Sequence, residues 1–370
     1  MRPLVWMADL HTSSSYALSA RRLLPMLQQA GIPLRAIPLT LLPGTALQAD
    51  PAWMTWLQAY QADWAWAQQV NAVRVYHHVP HPTWLQLPPG WAYTGWDARP
   101  YPKVWVEVLR RQEGVILWSD WTRRQLGDEV PAQVVPLPPT LDLPRTWIPR
   151  SGQPVRVGIL GQAVPRKRIL ESVERVWEIF TASDPVELWV HVTPSPQYSV
   201  TRLTLDLRAR RKRFARIVPT YVWMGHWTPN QLRRFYTQLD ILAVASAGEG
   251  YGLPMLEAAM AGATLVVPAD GGGWEDWLDP AIPRVPARWE PIPPNQIPDW
   301  QEPGMEWVTF RWADWQQRLW ALVQSADQRQ AEQQQAHASA WAWADPARIT
   351  TQWLSWFAAV ATPTTAPRSS

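Results

Sequence analysis

Two carboxylates flank a glycine-rich stretch in the segment that begins at Glu249 and reads EGYGLPMLEAAMAGATLVVP. Pro254 suits the first turn of a helix, because the amide that proline lacks would have no intrahelical partner there. We therefore predict a helix over LPMLEAAMAGA, with Glu257 in its first turn. Gly250 and Gly252 allow the preceding loop to adopt positive φ angles and to approach a ligand closely. Free amides at the helix start favour an anion, so the stretch is typical of a phosphate or pyrophosphate site.

The two carboxylates need a different partner, because a carboxylate repels phosphate. An ionised carboxylate accepts two hydrogen bonds, which suits the vicinal hydroxyls of a ribose or a hexose. A diol on each side of a pyrophosphate describes a nucleotide sugar. The structural alternative is that Glu257 only complements the helix dipole, since an isolated E-x7-E spacing is a weak signal.

The elements around this segment predict where it lies. DILAVAS, just before the loop, has the length and composition of a buried strand. It closes a series in which VRVGILG, VELWVHV and YVWMG alternate with helical patterns, and the N-terminal half alternates in the same way to about residue 140. The alternation predicts an α/β fold class with two doubly wound, Rossmann-like domains, whose ligands lie at the carboxyl ends of the strands. The boundaries we expect are 1–142 for an N-terminal acceptor-side domain, 143–154 for a proline-rich linker, 155–335 for a C-terminal nucleotide-sugar domain, 336–361 for C-terminal helices and 362–370 for a disordered tail.

The composition excludes several kinds of chemistry. The chain has 370 residues, more than one core usually supports, and no cysteine, which removes disulfides, thiolate zinc sites and iron–sulfur clusters. Its formal charge of +3 does not indicate a nucleic-acid partner. Because neither a signal peptide nor a long apolar run is evident, we expect a cytoplasmic protein. Most of the 28 tryptophans are expected in the core, although tryptophans on an exposed face could stack on sugar rings.

The embedded GYGLP, the continuation AAMAGATLVVPADGGGWED and the upstream GHWTPNQLRRFYTQLDILAVAS together resemble the donor-binding signature of family 4 retaining glycosyltransferases. The resemblance covers most of the C-terminal half, and a weaker one covers KVWVEVLRRQEGVILWSDWTRRQL and VVPLPPTLD in the N-terminal half. It implies the GT-B architecture, in which the two domains face a central cleft and the C-terminal helices pack back toward the N-terminal domain.

The resemblance also implies roles for particular residues. Glu257 would hold the ribose hydroxyls, and Glu249 would lie by the donor sugar. A histidine at the end of a strand would face that sugar, a role that His78 matches best while its neighbour His77 remains an alternative. Arg166 and Lys167 would neutralise the pyrophosphate leaving group. The donor-binding residues expected in this way are Arg166, Lys167, Glu249, Gly250, Tyr251, Gly252, Leu253 and Glu257, with Glu249 and His78 as the catalytic pair.

By the same resemblance the reaction would transfer a hexosyl unit with retention from a nucleotide-diphosphate sugar to a hydroxyl acceptor on a glycan, lipid or protein. The acceptor would attack from the face that the nucleotide leaves, and the leaving phosphate would take the proton. No metal ion or other cofactor is expected, in agreement with the lack of any D-x-D pair in the sequence. The alternative function is a catalytically inactive GT-B scaffold that binds sugars or a partner.

Several features have structural interpretations that compete with these. Arg166 and Lys167 could begin a solvated helix face, and HHVPH could be a polar loop. Family members often show paired glycines in the first strand-to-helix loop, where this chain has Ser13, Ser14 and Ser15. The run from Arg208 to Arg216 has six positive charges in nine residues. It suits a solvated helix better than a contact with anionic lipid, but a peripheral membrane contact remains open. A dinucleotide oxidoreductase is rejected, because VGILGQAVP lacks G-x-G-x-x-G.

Overall fold

The structure, a computed structural model, describes residues 2–12, 14–39, 51–149, 154–195, 198–297 and 300–362. Ser13, residues 150–153 of the expected linker and residues 363–370 of the expected tail lie outside the described residues. The chain divides into two compact units. The first draws on Met1–Gly95, Tyr101–Thr140 and Ala344–Ser370, and the second on Trp96–Pro100 and Leu141–Trp343.

The first unit is built on a parallel sheet. Its strands are β1 (Leu4–Ala8), β2 (Leu34–Pro38), β3 (Val73–His77), β4 (Trp91–Thr94), β5 (Gly114–Leu117) and β6 (Ala132–Val134). They lie in the order β2-β1-β3-β4-β5-β6, and every neighbouring pair is parallel. The helices between them are α1 (Ser15–Gln29), α2 (Pro51–Tyr60), α3 (Trp64–Gln69), α4 (Lys103–Arg110) and α5 (Asp120–Leu126). β1 is buried at every position, as a strand covered on both faces requires.

The second unit repeats this plan with a shorter sheet. Its strands are β7 (Val155–Gln162), β8 (Val186–Thr193), β9 (Thr220–Met224), β10 (Ile241–Ala243) and β11 (Thr264–Val266), in the parallel order β11-β10-β7-β8-β9. The helices are α6 (Ile169–Ile179), α7 (Val200–Arg211), α8 (Pro229–Tyr236) and α9 (Leu253–Met260). The chain moves outward from β7 to β9 and returns to β10 on the other side of β7. The strand order therefore reverses between β7 and β10, which is where open α/β sheets bind ligands.

An antiparallel hairpin of β12 (Ala287–Pro291) and β13 (Glu306–Phe310) follows, then α10 (Trp312–Gln324) and α11 (Ala326–Trp343). The last helix, α12 (Pro346–Ala361), belongs to the first unit, where it contacts α1. Position 335, the expected end of the C-terminal domain, lies inside α11, and the compact unit continues to Trp343.

The predicted fold class, α/β with two Rossmann-like domains, is confirmed. Most of the 28 tryptophans were expected in the core, but fourteen are buried, which is half of them; among the others only Trp320, at 50% exposure, is one of the exposed large hydrophobic residues. The sequence patterns did not predict β4, α2 or α3, nor the hairpin of β12 and β13. No helix in the described ranges is long and apolar enough to span a bilayer.

Candidate active site

The loop between β10 and α9 carries Glu249, and the backbone of this residue is fixed. Its amide donates to the carbonyl oxygen of Gly271 at 2.9 Å, and its own carbonyl accepts from the amide of Gly273 at 3.0 Å. Only a glycine fits at 273, since a Cβ there would lie 2.6 Å from the Tyr251 carbonyl oxygen. The Glu249 side chain is therefore presented by a rigid backbone at the carboxyl edge of the sheet.

The Glu249 carboxylate lies in a charged cluster that excludes most water. It is 5% exposed, it pairs with the ammonium of Lys167, and it lies 3.3 Å from the Arg166 guanidinium. Burial alone would raise the pKa of Glu249, but Lys167, Arg166 and a hydrogen bond from Ser246 outweigh it and hold the pKa below its usual value. The carboxylate is therefore ionised at neutral pH and suited to accept hydrogen bonds from hydroxyls.

Arg166 and Lys167 come from a 3₁₀ turn, Pro165–Lys167, that directly follows β7. Arg166 donates through Nη1 to the Gly248 carbonyl oxygen at 2.6 Å and through Nη2 to Asp97 at 2.7 Å. Burial lowers the pKa of Lys167, and neighbouring Arg166 lowers it further, against the attraction of Glu249. Burial acts in the same direction on Arg166, but Asp97 and Glu249 raise its pKa overall. The structure thus brings together three of the predicted site residues, and it adds Asp97.

Helix α9 begins differently from the sequence prediction in two details. Gly252 has a φ of 80° and forms the N-cap, as expected for a glycine there, but Gly250 is not among the residues with positive φ. Its need for glycine has another cause, because a Cβ at 250 would lie 2.9 Å from the Trp96 carbonyl oxygen. The prediction that Glu257 lies in the first turn is wrong: the helix starts at Leu253, and one turn of 3.6 residues ends before position 257.

Glu257 is 2% exposed, on the buried face of α9. Burial raises the pKa of Tyr236 well above its usual value, and the negative charges of Glu257 and Glu249 raise it further. Both carboxylates therefore act on one buried phenol at the end of α8. Tyr236 was not predicted from the sequence, because a tyrosine on an amphipathic helix carries no signal of its own.

The amides between the two glutamates are not all free. Gly250 donates its N–H to Oδ1 of Asp97 at 2.6 Å. Tyr251 is 3% exposed, and its hydroxyl oxygen accepts a hydrogen bond from the Trp343 indole at 3.1 Å. Leu253, the first residue of α9, is partly buried. Asp97 was also missed from the sequence, because it lies 153 positions away from Gly250 in a segment without a motif.

A cavity of about 620 Å³ borders the turn that carries Arg166 and Lys167. Val164, Pro165 and Arg168 line it, whereas Arg166, Lys167 and Glu249 do not. The charged cluster is therefore not part of this cavity's lining. Among the described residues no group of three or more His, Cys, Asp or Glu side chains is placed to hold a metal ion.

The two candidate histidines lie in the first unit. His77 ends β3 and His78 follows it, and both side chains have no exposed surface. Burial lowers the pKa of His78 to about 4, against opposing effects of Asp9 and the Val79 backbone. Burial, together with neighbouring His78, also lowers the pKa of His77 well below its usual value. The His78 ring stacks on Tyr16 with centroids 4.8 Å apart. Both imidazoles are therefore neutral at pH 7.

The first strand-to-helix loop is closed by Asp9 at the end of β1. Its carboxylate accepts hydrogen bonds from the His11 amide at 3.2 Å and from the hydroxyl of Ser14 at 2.9 Å. Ser14 also caps α1 by accepting from the Ala17 amide at 3.1 Å. Ser14 and Ser15 therefore serve the helix start, while Ser13 lies outside the described residues.

Comparisons with known proteins show what this fold resembles. Scans of the sequence against protein-family models and against curated proteins give no match. Among solved structures, Anabaena Alr3699/HepE in complex with UDP and glucose is 10% identical, covering 97% of this chain and 100% of its own with a TM-score of 0.67. A UDP-forming α,α-trehalose-phosphate synthase from Burkholderia xenovorans is 12% identical, covering 98% and 100% with a TM-score of 0.65. Sucrose-phosphate synthase from Thermosynechococcus elongatus is 14% identical, covering 98% and 99% with a TM-score of 0.63. The protein therefore shares the fold of GT-B glycosyltransferases.

Proposed function

We propose that the protein is a glycosyltransferase that moves a hexosyl unit, with retention and without a metal ion, from a nucleotide-diphosphate sugar to a hydroxyl acceptor. The observation that carries the proposal is the buried, ionised Glu249 held between Lys167 and Arg166 at the point where the strand order reverses. A carboxylate that is already paired and desolvated is a poor general base, but it is a well-positioned acceptor for sugar hydroxyls.

The roles we assign follow from charge and position. Arg166 and Lys167 offer positive charge to a diphosphate leaving group, which is the main requirement when a glycosidic bond to phosphate breaks. Glu257, one turn into α9, is assigned to the ribose hydroxyls, and Glu249 to those of the hexose. His78, neutral at pH 7, is assigned to a hydrogen bond with the donor sugar. The leaving phosphate takes the proton of the acceptor, so no residue needs to act as a general base and no cofactor is required.

The comparisons support this proposal through the proteins that share the fold. One of them was solved with UDP and glucose, and another is a synthase that forms UDP. A UDP-sugar is therefore the first donor to test.

Isothermal titration of UDP against wild type and Glu257→Ala tests the ribose role. The expected result is a loss of affinity of about tenfold or more, because a charge-assisted hydrogen-bond pair contributes roughly 1.5–3 kcal/mol. Glu174→Ala is the matched control, since Glu174 is also buried in this unit but pairs with Arg210 and Arg213. Undiminished affinity in Glu257→Ala would contradict the assignment. UDP binding without any release of UDP from UDP-sugars would instead favour the inactive scaffold.

We also propose that the protein is cytoplasmic and that Arg208–Arg216 makes a peripheral contact with the inner face of the membrane. Leu205, 56% exposed on α7, the helix that also carries Arg208, supports this contact, whereas Arg210 and Arg213 are engaged with Glu174. Besides Arg213 and Arg216, the exposed charges of the run are those of Arg208, Arg211 and Lys212. Replacing these three with Ser should reduce sedimentation with anionic liposomes, and unchanged sedimentation would remove the membrane contact.

A further inference from the structure

The segment Trp96–Pro100, which we call the 96–100 strap, belongs to the second unit although the chain on both sides of it belongs to the first. It lies directly on the loop that carries Glu249. A Cβ at Gly248 would fall 1.7 Å from the Asp97 carbonyl oxygen, and one at Gly250 would fall 2.9 Å from the Trp96 carbonyl oxygen. Positions 248 and 250 therefore require glycine because the strap leaves no room for a Cβ at either of them.

Arg99, near the other end of the strap, binds the hairpin of β12 and β13. Its amide donates to the Glu306 carbonyl oxygen at 3.0 Å, and the Glu306 amide donates back at 2.6 Å. Its guanidinium pairs with the Glu306 carboxylate at 2.9 Å and lies 3.9 Å from the centre of the Trp289 ring. The anchor at Arg99 is separate from the contacts of Asp97, so the Asp97 side chain can leave its partners while the strap stays attached.

The Asp97 carboxylate bridges two groups that an oxyanion would use. One oxygen accepts the Gly250 N–H at 2.6 Å, and the other pairs with Nη2 of Arg166 at 2.7 Å. A backbone amide beside a guanidinium is a common arrangement for holding a phosphate oxygen. In this structure a carboxylate of the chain occupies it.

The charges of the cluster sum to zero. Arg166 and Lys167 contribute two positive charges, and Glu249 and Asp97 contribute two negative ones. A diphosphate gains little attraction from a neutral cluster, but it gains a net positive site if one carboxylate departs. The Asp97 side chain is 31% exposed and that of Glu249 only 7%, so Asp97 is the one that water can solvate as it leaves.

We propose that Asp97 is a displaceable counter-ion of the donor site: its carboxylate holds Arg166 and the Gly250 amide until the diphosphate of the donor replaces it there. This inference rests on the proposed function, because it takes the incoming ligand to be a diphosphate. The strap would also contribute to ligand selectivity, because a ligand without a phosphate oxygen cannot replace Asp97 as the partner of Arg166.

The test measures the affinity of inorganic pyrophosphate and of UDP for wild type and Asp97→Asn by isothermal titration. Asparagine keeps the shape and an oxygen for the Gly250 amide but removes the charge. Both ligands should bind about tenfold more tightly, as expected when a competing charge is removed from a partly solvated site. The control is Asp314→Asn, because Asp314 also pairs with an arginine, Arg311, in the same unit. This variant should leave both affinities unchanged.

Unchanged or weaker pyrophosphate binding in folded Asp97→Asn would overturn the proposal, since Asp97 would then only position Arg166. Pyrophosphate binding to neither protein would overturn it as well. If Asp97→Asn does not fold, Arg99→Gln provides the second variant, because it loosens the strap without touching the cluster and should tighten binding in the same direction. Failure of the proposed function looks different: Glu257→Ala would leave UDP affinity intact while the pyrophosphate comparison still holds, because pyrophosphate has no ribose.

Discussion

Breaking the ion pair between Lys167 and Glu249 should destabilise the protein, and the effects of changing its two members should not add. The two side chains are 11% and 7% exposed, and removing one member of such a buried pair typically costs about 3–5 kcal/mol. Arg166 remains 3.3 Å from Glu249 and compensates part of the loss, so we expect about 3 kcal/mol for Lys167→Met. For Glu249→Gln we expect about 2 kcal/mol, because the amide keeps the shape but leaves Lys167 buried without its counter-charge. The double variant should be destabilised by about 1–3 kcal/mol less than the sum.

Urea unfolding of wild type, both single variants and the double variant gives the coupling free energy directly. Tryptophan fluorescence and circular dichroism should report the transition that Glu249→Gln shifts. A matched cycle on Arg202 and Asp206, a more exposed pair 3.1 Å apart in the same unit, should give a much smaller coupling free energy. If the Lys167 and Glu249 effects add to within the coupling free energy of that pair, the cluster is not the coupled unit described above and the assignment of Glu249 as a paired, ionised acceptor is refuted.

Two further predictions concern the backbone and the histidines. Gly248→Ala should lower the melting temperature more than Gly250→Ala, because their new Cβ atoms would lie 1.7 Å and 2.9 Å from strap carbonyl oxygens; the reverse order in calorimetry would contradict the strap contact. Burial lowers the pKa of His191 from 6.5 to about 4. Between these pH values the unfolded chain binds a proton at His191 and the native state does not. The free energy of unfolding therefore falls as the pH falls. On going from pH 7 to pH 4, the free energy of unfolding of His191→Gln should therefore fall by about 3 kcal/mol less than that of wild type. Equal losses for the two proteins in urea titrations at the two pH values would exclude this role.

Much of the fold could be predicted from local patterns. The strands β1, β7 and β8 are mostly apolar segments of five to eight residues, and α9 was marked by a proline at its start. What the patterns missed has a common cause. β4 has only four residues after a stretch rich in helix breakers, and the hairpin of β12 and β13 depends on pairing partners up to 23 positions apart. Short elements of this kind are stabilised by non-local contacts, which no local window contains.

Some residues of the candidate site could likewise be predicted from the sequence, and others could not. Glu249 and Glu257 were predicted from residue type and spacing, and Arg166 and Lys167 from the family resemblance; the roles assigned to all four remain proposals. Their partners could not be read from the sequence. Arg166 and Lys167 lie 82 positions from their contacts on the glycine loop, and Asp97 lies 153 positions from Gly250.

By itself, the sequence determined that this protein alternates strands and helices in two halves and that two glutamates flank a glycine-rich loop at the carboxyl end of a strand. Only the tertiary structure decided the electrostatic state of that loop, because charge pairing depends on distances of a few ångströms between residues remote in the chain. Asp97 turns a site that reads as positively charged into a neutral one. The backbone of Asp97 and Trp96 explains why Gly248 and Gly250, respectively, have no room for a side chain.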